Sequence, residues 1–325
     1  MATLKDVAQL ANVDVSTVSR ALNNTSYVHP DTKAKILDAV KKLSYQPNLL
    51  AKGLRQGKRH TIGLVVPSIK LTIFGDIAQS IEIEARKYGY GVMICNTVDD
   101  KQQEQDCLNR LRNGFVDGII IAATGQNTRL IRDIKASGIA VTQLVRAQDK
   151  NISSVVADYR HCGYAGVHHL LSKGCRKIGF INGNHKIAPY KERYKGYIKA
   201  LQETGLPELI APSQVPLGDH YSDGYNGAKI LLDQHPDIDG IMIAVDMQGL
   251  GVLRNLKERN LSVPENIKVI SLTGHSMGGM LETAMTSMEM PAKAIGKKVT
   301  QMTIDDIELP EGKTADIRHE VLATA

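Results

Sequence analysis

Thr3-Leu4-Lys5-Asp6-Val7-Ala8-Gln9-Leu10-Ala11, followed by Asn12-Val13-Asp14 and then Val15-Ser16-Thr17-Val18-Ser19-Arg20-Ala21-Leu22, is the stretch from which the chain is read. Its first part opens on a Thr suited to cap a helix and an acid in the first turn. Leu4, Val7, Ala8 and Ala11 share one helical face. Asn12 tolerates the left-handed backbone of a tight turn. Asp14 can accept from the N–H of Ser16 or Thr17 and so cap a second helix over 15–22. On that helix Val18, Ala21 and Leu22 face inward, and Val15, Ser16, Thr17, Ser19 and Arg20 face outward. Two short helices joined by such a turn form a helix-turn-helix, whose second helix can enter a DNA major groove.

Moving outward, Pro30 fits the first position of a third helix. Ile36, Leu37, Val40 and Leu43 then recur at helical spacing until Tyr45-Gln46-Pro47-Asn48 breaks it. A short helical stretch over 48–56 follows, punctuated by Gly53 and Gly57. The net charge of +6 sits wholly in this part: residues 1–60 hold ten Lys/Arg against four acids, and the remainder holds thirty of each. A compact basic module on a neutral body suits a polyanionic partner.

The pattern Val7-Ala8, Ala11, Val13, Thr17-Val18-Ser19-Arg20-Ala21-Leu22-Asn23, then Tyr45, Pro47-Asn48, Ala51 and Leu54, resembles the signature of the lactose-repressor (LacI/GalR) family. The resemblance implies that Val15, Ser16 and Arg20 read bases. It implies that Thr17, Ser19 and Asn23 meet or support phosphate contacts, with Thr3, Tyr45, Asn48, Ala51 and Lys52 on the same DNA-binding surface. Leu54 sits where the family wedges paired leucines into the minor groove, a device that unstacks a base step. Arg55, Lys58 and Arg59 join Lys52 in neutralising phosphates. Gly53 weakens the short helix, so it is expected to fold only on DNA. Asn12 in place of the usual turn Gly, and His29 in place of a capping Ser or Thr, are departures that leave the fold intact.

From Thr61 onward apolar strands alternate with helices. Strands are expected at 62–66, 92–94, 118–121 and 139–142, with helices at 77–88, 103–112 and 130–137. A second set begins near Cys162, with strands at 178–181, 241–244 and 269–272 and helices at 166–171, 194–203, 224–232 and 250–258. Continuous apolar strands between helices indicate parallel sheets covered on both faces. The fold class is an all-α helix-turn-helix headpiece plus an α/β periplasmic-binding-protein-like sensor of two parallel-sheet lobes. Domains are expected at 1–46 (DNA-binding), 47–60 (hinge helix and linker) and 61–325 (effector binding and dimerisation). The first lobe takes 61–160 and 290–316, and the second takes 163–287. The resembled fold implies three crossings, near 159–163, 287–291 and after about 316, with a helix over 292–304 returning to the first lobe.

Ligands in open α/β sheets bind at the carboxyl ends of strands. This selects Ser68, Phe74, Asp99, Arg146, Tyr190, Arg193, Asp246, Thr273 and His275 as effector-binding candidates, with Tyr190 and Arg193 placed before the helix that holds Gly196. Arg193 matches a family position that grips the effector, whereas Ser271-Leu272-Thr273 lacks the carboxylate with which the family often holds sugar hydroxyls. Two retained arginines then favour an anionic effector, a sugar phosphate or a sugar acid.

The whole reads as a repressor of carbohydrate-utilisation genes. It acts as a homodimer on a near-palindromic operator in double-stranded DNA, with a small sugar-derived effector in the inter-lobe cleft. The alternative is a regulator controlled by a protein corepressor such as a phosphocarrier protein. A further rival is a serine hydrolase, since Gly274-His275-Ser276-Met277-Gly278 matches G-x-S-x-G, although only His319 follows it. Cys95, Cys107, Cys162 and Cys175 show no metal-like spacing, and neither a metal nor a cofactor is expected. Without a signal core or a run of about 18 apolar residues, the expected location is the cytoplasm, with no membrane contact.

Overall fold

In the computed structural model the described residues are 2–23, 26–45, 58–211, 213, 219–274, 277–310, 312–313 and 315–324. They form two compact units, Met1–Arg59 and His60–Ala325. The first holds α1 (Leu4–Ala11), α2 (Val15–Asn23) and α3 (Pro30–Lys42). Thr3 and Asp6 close a capping box on α1, and Asn12 ends that helix at φ 51°. The Asp14 carboxylate accepts from Ser16 N–H at 2.8 Å, capping α2. Pro30 sits in the first turn of α3, where its missing N–H is harmless. Val7, Ala8, Ala11, Val18, Ala21, Ile36 and Ala39 make the buried core of this unit. Four of the seven are alanines, so each side chain of Ile or Val size carries a large share of its stability.

The second unit carries two sheets, parallel in every pairing. The first lobe runs β1 (Thr61–Val66), α4 (Thr72–Lys87), β2 (Gly91–Asn96), α5 (Lys101–Arg112), β3 (Gly118–Ile121), α6 (Thr128–Ala136), β4 (Ala140–Leu144) and β5 (Ser154–Ala157). The second runs α7 (Tyr159–Ser172), β6 (Ile178–Ile181), α8 (Ala188–Thr204), β7 (Leu209–Ala211), α9 (His220–Gln234), β8 (Gly240–Ile243), α10 (Asp246–Glu258), β9 (Lys268–Gly274), α11 (Met277–Met280) and β10 (Thr286–Glu289). Then α12 (Ala292–Ile307) and β11 (His319–Leu322) return to the first lobe. The sheet orders are β11-β5-β4-β3-β1-β2 and β10-β9-β8-β6-β7. Central strands β3, β6 and β8 are buried throughout, as two helical layers require.

Four strands have no counterpart in the sequence reading: β5, β7, β10 and β11. Each is three or four residues long, too short for periodicity to reveal, and β11 gains its identity only by pairing with β5 at His319↔Ser154 and Leu322↔Ala157. The first lobe therefore extends to Leu322, beyond the expected limit of 316. The first crossing falls at Asp158, which caps α7 by accepting from His161 N–H. The second falls at Met290-Pro291, after which α12 packs on α4, β3 and β4. Most helices also begin earlier than expected. Leu71 is the N-cap of α4, so Phe74 stands in that helix and not in a loop after β1. Pro189 opens α8, which places Tyr190 and Arg193 inside the helix.

Candidate functional site

On α2, Val15, Ser16 and Arg20 are exposed, while Thr17 and Ser19 are half-buried. The Arg20 guanidinium lies along its own helix: Nε donates to Ser16 O at 3.3 Å and Nη2 to Thr17 Oγ1 at 3.1 Å. Asn23 Nδ2 donates to Ser19 O at 2.9 Å. These bonds orient the outward side chains before any partner arrives. Thr3 spends its hydroxyl on the α1 cap, donating to Asp6 Oδ2 at 2.8 Å, and Tyr45 packs half-buried on the headpiece core. Asn48, Ala51, Lys52 and Leu54, with the hinge helix expected over 48–56, lie outside the described residues, as does His275.

Between the lobes lies a cavity of about 560 Å³. Of the expected residues, Ser68, Asp99, Arg146 and Tyr190 line it. Arg146 and Asp99, 47 residues apart in sequence, form a bidentate ion pair at 2.6 and 2.8 Å. Both are nearly buried, with side-chain exposures of 7% and 15%. Removing one partner of such a pair costs about 3–5 kcal/mol, because the other charge is left buried and alone. Both are presented by unusual backbone. Thr97 O accepts from Asp100 N–H at 2.9 Å across Val98 and Asp99, at φ 51° and 56°. Arg146 N–H reaches Leu144 O at 2.5 Å around Val145 at φ 62°. A β-branched residue in the left-handed region stores about 1–3 kcal/mol of strain. That two valines hold it on either side of one ion pair marks the pair as the feature this backbone is built to present.

A second, smaller cavity adjoins the first, sharing Arg146 and Tyr190 and adding Phe74, Arg193 and Thr273. Arg193 is 2% exposed. Its Nη2 donates to Thr273 Oγ1, which itself donates to Ala244 O at 2.7 Å. Its guanidinium carbon stands 4.8 Å from the centre of the Tyr159 ring, and its Nε has no hydrogen-bond partner among the described residues. The backbone that carries it is clamped by two glycines. A Cβ on Gly163 would stand 1.9 Å from Arg193 O, and one on Gly196 1.9 Å from Arg160 O. Helices α7 and α8 thus touch backbone to backbone, and Arg193 has little freedom to move.

Asp246 lines neither cavity. It is the first residue of α10, after the N-cap Val245, and 2% exposed. Sequence reasoning missed Lys70, Asn96, Asn184, Asp219, His220 and Asp223, all of which line the larger cavity. Asp219, His220 and Asp223 open α9, whose first turn lay outside the expected 224–232. The Asp219-x-x-Ser222 cap was the available signal, since Asp219 accepts from Ser222 N–H at 3.1 Å. Hydrogen bonds from Ser222 hold the Asp219 carboxyl below its ordinary value. Burial pushes His220 down, although Asp223, Asp99 and Asp219 act in the opposite sense.

The anionic-effector expectation named Arg146 and Arg193. Asp99 pairs with Arg146, whereas Arg193 lines the adjoining smaller cavity with its Nε unpartnered among the described residues. The larger cavity brings Asp99, Asp219 and Asp223 against Lys70 and Arg146, beside His220, which burial shifts downward. Its carboxylates outnumber its cations three to two. The hydrolase alternative fails. His319 belongs to the first lobe's sheet, with Nδ1 on Ser154 Oγ at 2.8 Å and Nε2 on Lys150 O at 3.1 Å, whereas Gly274 and Gly278 belong to the second lobe. Ser276 itself lies outside the described residues. Among the described residues no helix is long and apolar enough to cross a membrane.

Two family descriptions match this chain: "Bacterial regulatory proteins, lacI family" over residues 3–48, and "Periplasmic binding proteins and sugar binding domain of LacI family" over residues 59–323. A ribose operon repressor of Halalkalibacterium halodurans is 30% identical over 308 residues, covering 95% of this chain and 91% of its own. A periplasmic binding protein/LacI transcriptional regulator from Alkaliphilus metalliredigens QYMF, complexed with D-xylulofuranose, is similar at a TM-score of 0.71 and 27% identity, over 82% of this chain and 96% of its own. The lac repressor dimer bound to operator and the anti-inducer ONPF has a TM-score of 0.85 over 100% of this chain and 97% of its own, and at 21% identity the likeness is one of fold.

Proposed function

Because this chain belongs to the lacI family of bacterial regulatory proteins, a family of transcription regulators and not of enzymes, we propose that it is a cytoplasmic repressor of pentose-utilisation genes. It acts as a homodimer on a two-fold operator and is controlled by an uncharged sugar in the cleft. The observation that carries this reading is the pairing, in one chain, of an exposed Val15-Ser16-Arg20 face with a cavity whose carboxylates outnumber its cations. Carboxylate oxygens accept sugar hydroxyls, and the buried Arg193 Nε offers a donor to a sugar oxygen. The ribose operon repressor and the D-xylulofuranose complex make pentoses the first sugars to test.

Dimerisation is supported by exposed large apolar side chains near one sheet edge, Ile83 on α4, Tyr88 at its C-cap, and Met93 and Ile94 on the edge strand β2, each at least 38% exposed. The distance between half-sites then follows from the dimer's two-fold axis. Selection of operator sequences from random duplexes, followed by fluorescence anisotropy with and without D-ribose, D-xylulose and ribose 5-phosphate, tests the reading. A near-palindromic consensus whose binding changes with a neutral pentose is expected. Binding that responds only to the phosphate sinks the neutral-effector reading, and the absence of any enriched duplex sinks the DNA-binding one.

A further inference from the structure

Thr273 stands where a strand-end carboxylate is missing, yet the cavity has a carboxylate nearby that comes from a different element. We propose that Asp223 on α9, aimed into the cavity by the buried amide of Gln248, is the specificity-determining carboxylate for effector hydroxyls, with Gln248 as its positioning residue. The inference rests on the uncharged-sugar reading above.

Gln248, on α10, is 0% exposed. Its Oε1 accepts from Ala244 N–H at 3.0 Å and Val245 N–H at 3.2 Å. Its Nε2 donates to Asn182 O at 3.2 Å and to Asp223 Oδ2 at 2.8 Å. Three of these partners are backbone groups at the ends of β6 and β8, and their chemistry decides which way the amide faces: two donors fix the oxygen and one acceptor fixes the nitrogen. The remaining N–H can only point at Asp223. The carboxylate is thus set relative to the strand ends by an amide that cannot turn over without orphaning backbone groups.

The helices reinforce this. A Cβ on Gly224 would stand 2.0 Å from Gln248 O, and one on Gly251 2.1 Å from Tyr221 O. So α9 and α10 meet backbone to backbone beside Asp223. Asp223 is 5% exposed and lines the cavity. A carboxylate held this firmly, and shielded from water, discriminates strongly between a ligand that brings a hydroxyl and one that does not.

The test uses the full chain, isothermal titration calorimetry, and D-ribose, D-xylulose and the monodeoxy forms of ribose as probes. Asp223→Asn is expected to weaken pentose binding roughly 10- to 100-fold. One deoxy sugar should lose a similar factor on the wild-type chain and lose little more on Asp223→Asn. Gln248→Glu keeps an acceptor for Ala244 and Val245 N–H, loses the donors to Asn182 O and to Asp223, and sets a second carboxylate beside Asp223; the loss at Asn182 O is common to both backgrounds. It is expected to weaken binding several-fold in the wild-type background and less beside Asp223→Asn, whose amide can donate to Glu. A merely structural role for Gln248 costs the same in both backgrounds, and that result overturns its positioning role. Circular dichroism checks that each variant folds, and the deoxy series on the wild-type chain decides the matter if one does not. If pentoses bind and Asp223→Asn stays within twofold of wild type, the carboxylate assignment is wrong while the sugar reading stands. If neither pentose binds the wild-type chain at millimolar concentration, the sugar reading fails and this proposal fails with it.

Discussion

On α2 the three side chains proposed to read bases, Val15, Ser16 and Arg20, stand exposed within six residues of one helix. Around the cavity the lining side chains come from the ends of β1, β2 and β4, the connection after β6, and the first turns of α8 and α9. The first site is a surface whose order is the order of the chain. The second exists only when segments more than a hundred residues apart close on one another. The difference extends to energetics. Among the described residues Arg20 bonds only to its own helix, so its loss strands none of them. Arg146 and Asp99 neutralise each other in a nearly buried setting, so losing either disturbs the lobe itself. A displayed site can vary its specificity cheaply, whereas an assembled one ties specificity to stability.

The comparison is broken most sharply by separating the two units. Ile36→Ala removes a fully buried side chain from the small headpiece core. It is expected to destabilise that unit by about 2–5 kcal/mol and abolish operator binding while calorimetric effector binding survives. Joint loss of both would show that the units are not independent. Arg20→Ala is expected to weaken consensus-operator binding roughly 10- to 100-fold, with random-sequence binding much less affected and the thermal midpoint unchanged, as anisotropy and calorimetry would report.

Arg193→Ala should do the reverse. Pentose affinity falls about tenfold or more, and operator binding no longer responds to sugar. A normal response would remove Arg193 from the effector site.

The smallest effect concerns pH. Burial lowers His220 below its ordinary value of 6.5, and His169 and His185 shift the same way for the same reason. Above about pH 6.5 these rings are neutral folded or unfolded and contribute nothing. As the pH falls below 6.5 the unfolded chain takes up protons first, so stability declines, by less than about 1.4 kcal/mol per pH unit for each ring. Urea denaturation at pH 7.5, 6.0 and 5.0 should show this decline, reduced in His220→Gln. An identical slope in both proteins would place His220 in water.

Much of the headpiece was legible. Thr3, Asn12, Asp14 and Pro30 act at helix ends as their side chains dictate, because caps depend on atoms two to four residues away. The central strands were equally plain, since burial on both faces leaves a continuous apolar run. Illegible were β5, β7, β10 and β11, each only three or four residues long and β11 paired with the distant β5, and the early starts of α4, α8 and α9, where the first turn faces the cleft and carries no apolar period. For that reason Phe74, Tyr190 and Arg193 were found but misplaced, and Asp219, His220 and Asp223 were missed.

What the amino-acid order determined alone was the local and the periodic: three capped helices, a basic end on a neutral body, and strands alternating with helices. What only the tertiary structure decided was which charges are already satisfied. Arg146 looks available until Asp99 reaches it. Asp223 looks like an ordinary helical acid until Gln248 holds it at the cavity wall. Whether a charge is spent or offered depends on neighbours brought close by folding, and nothing in its local sequence encodes that distance.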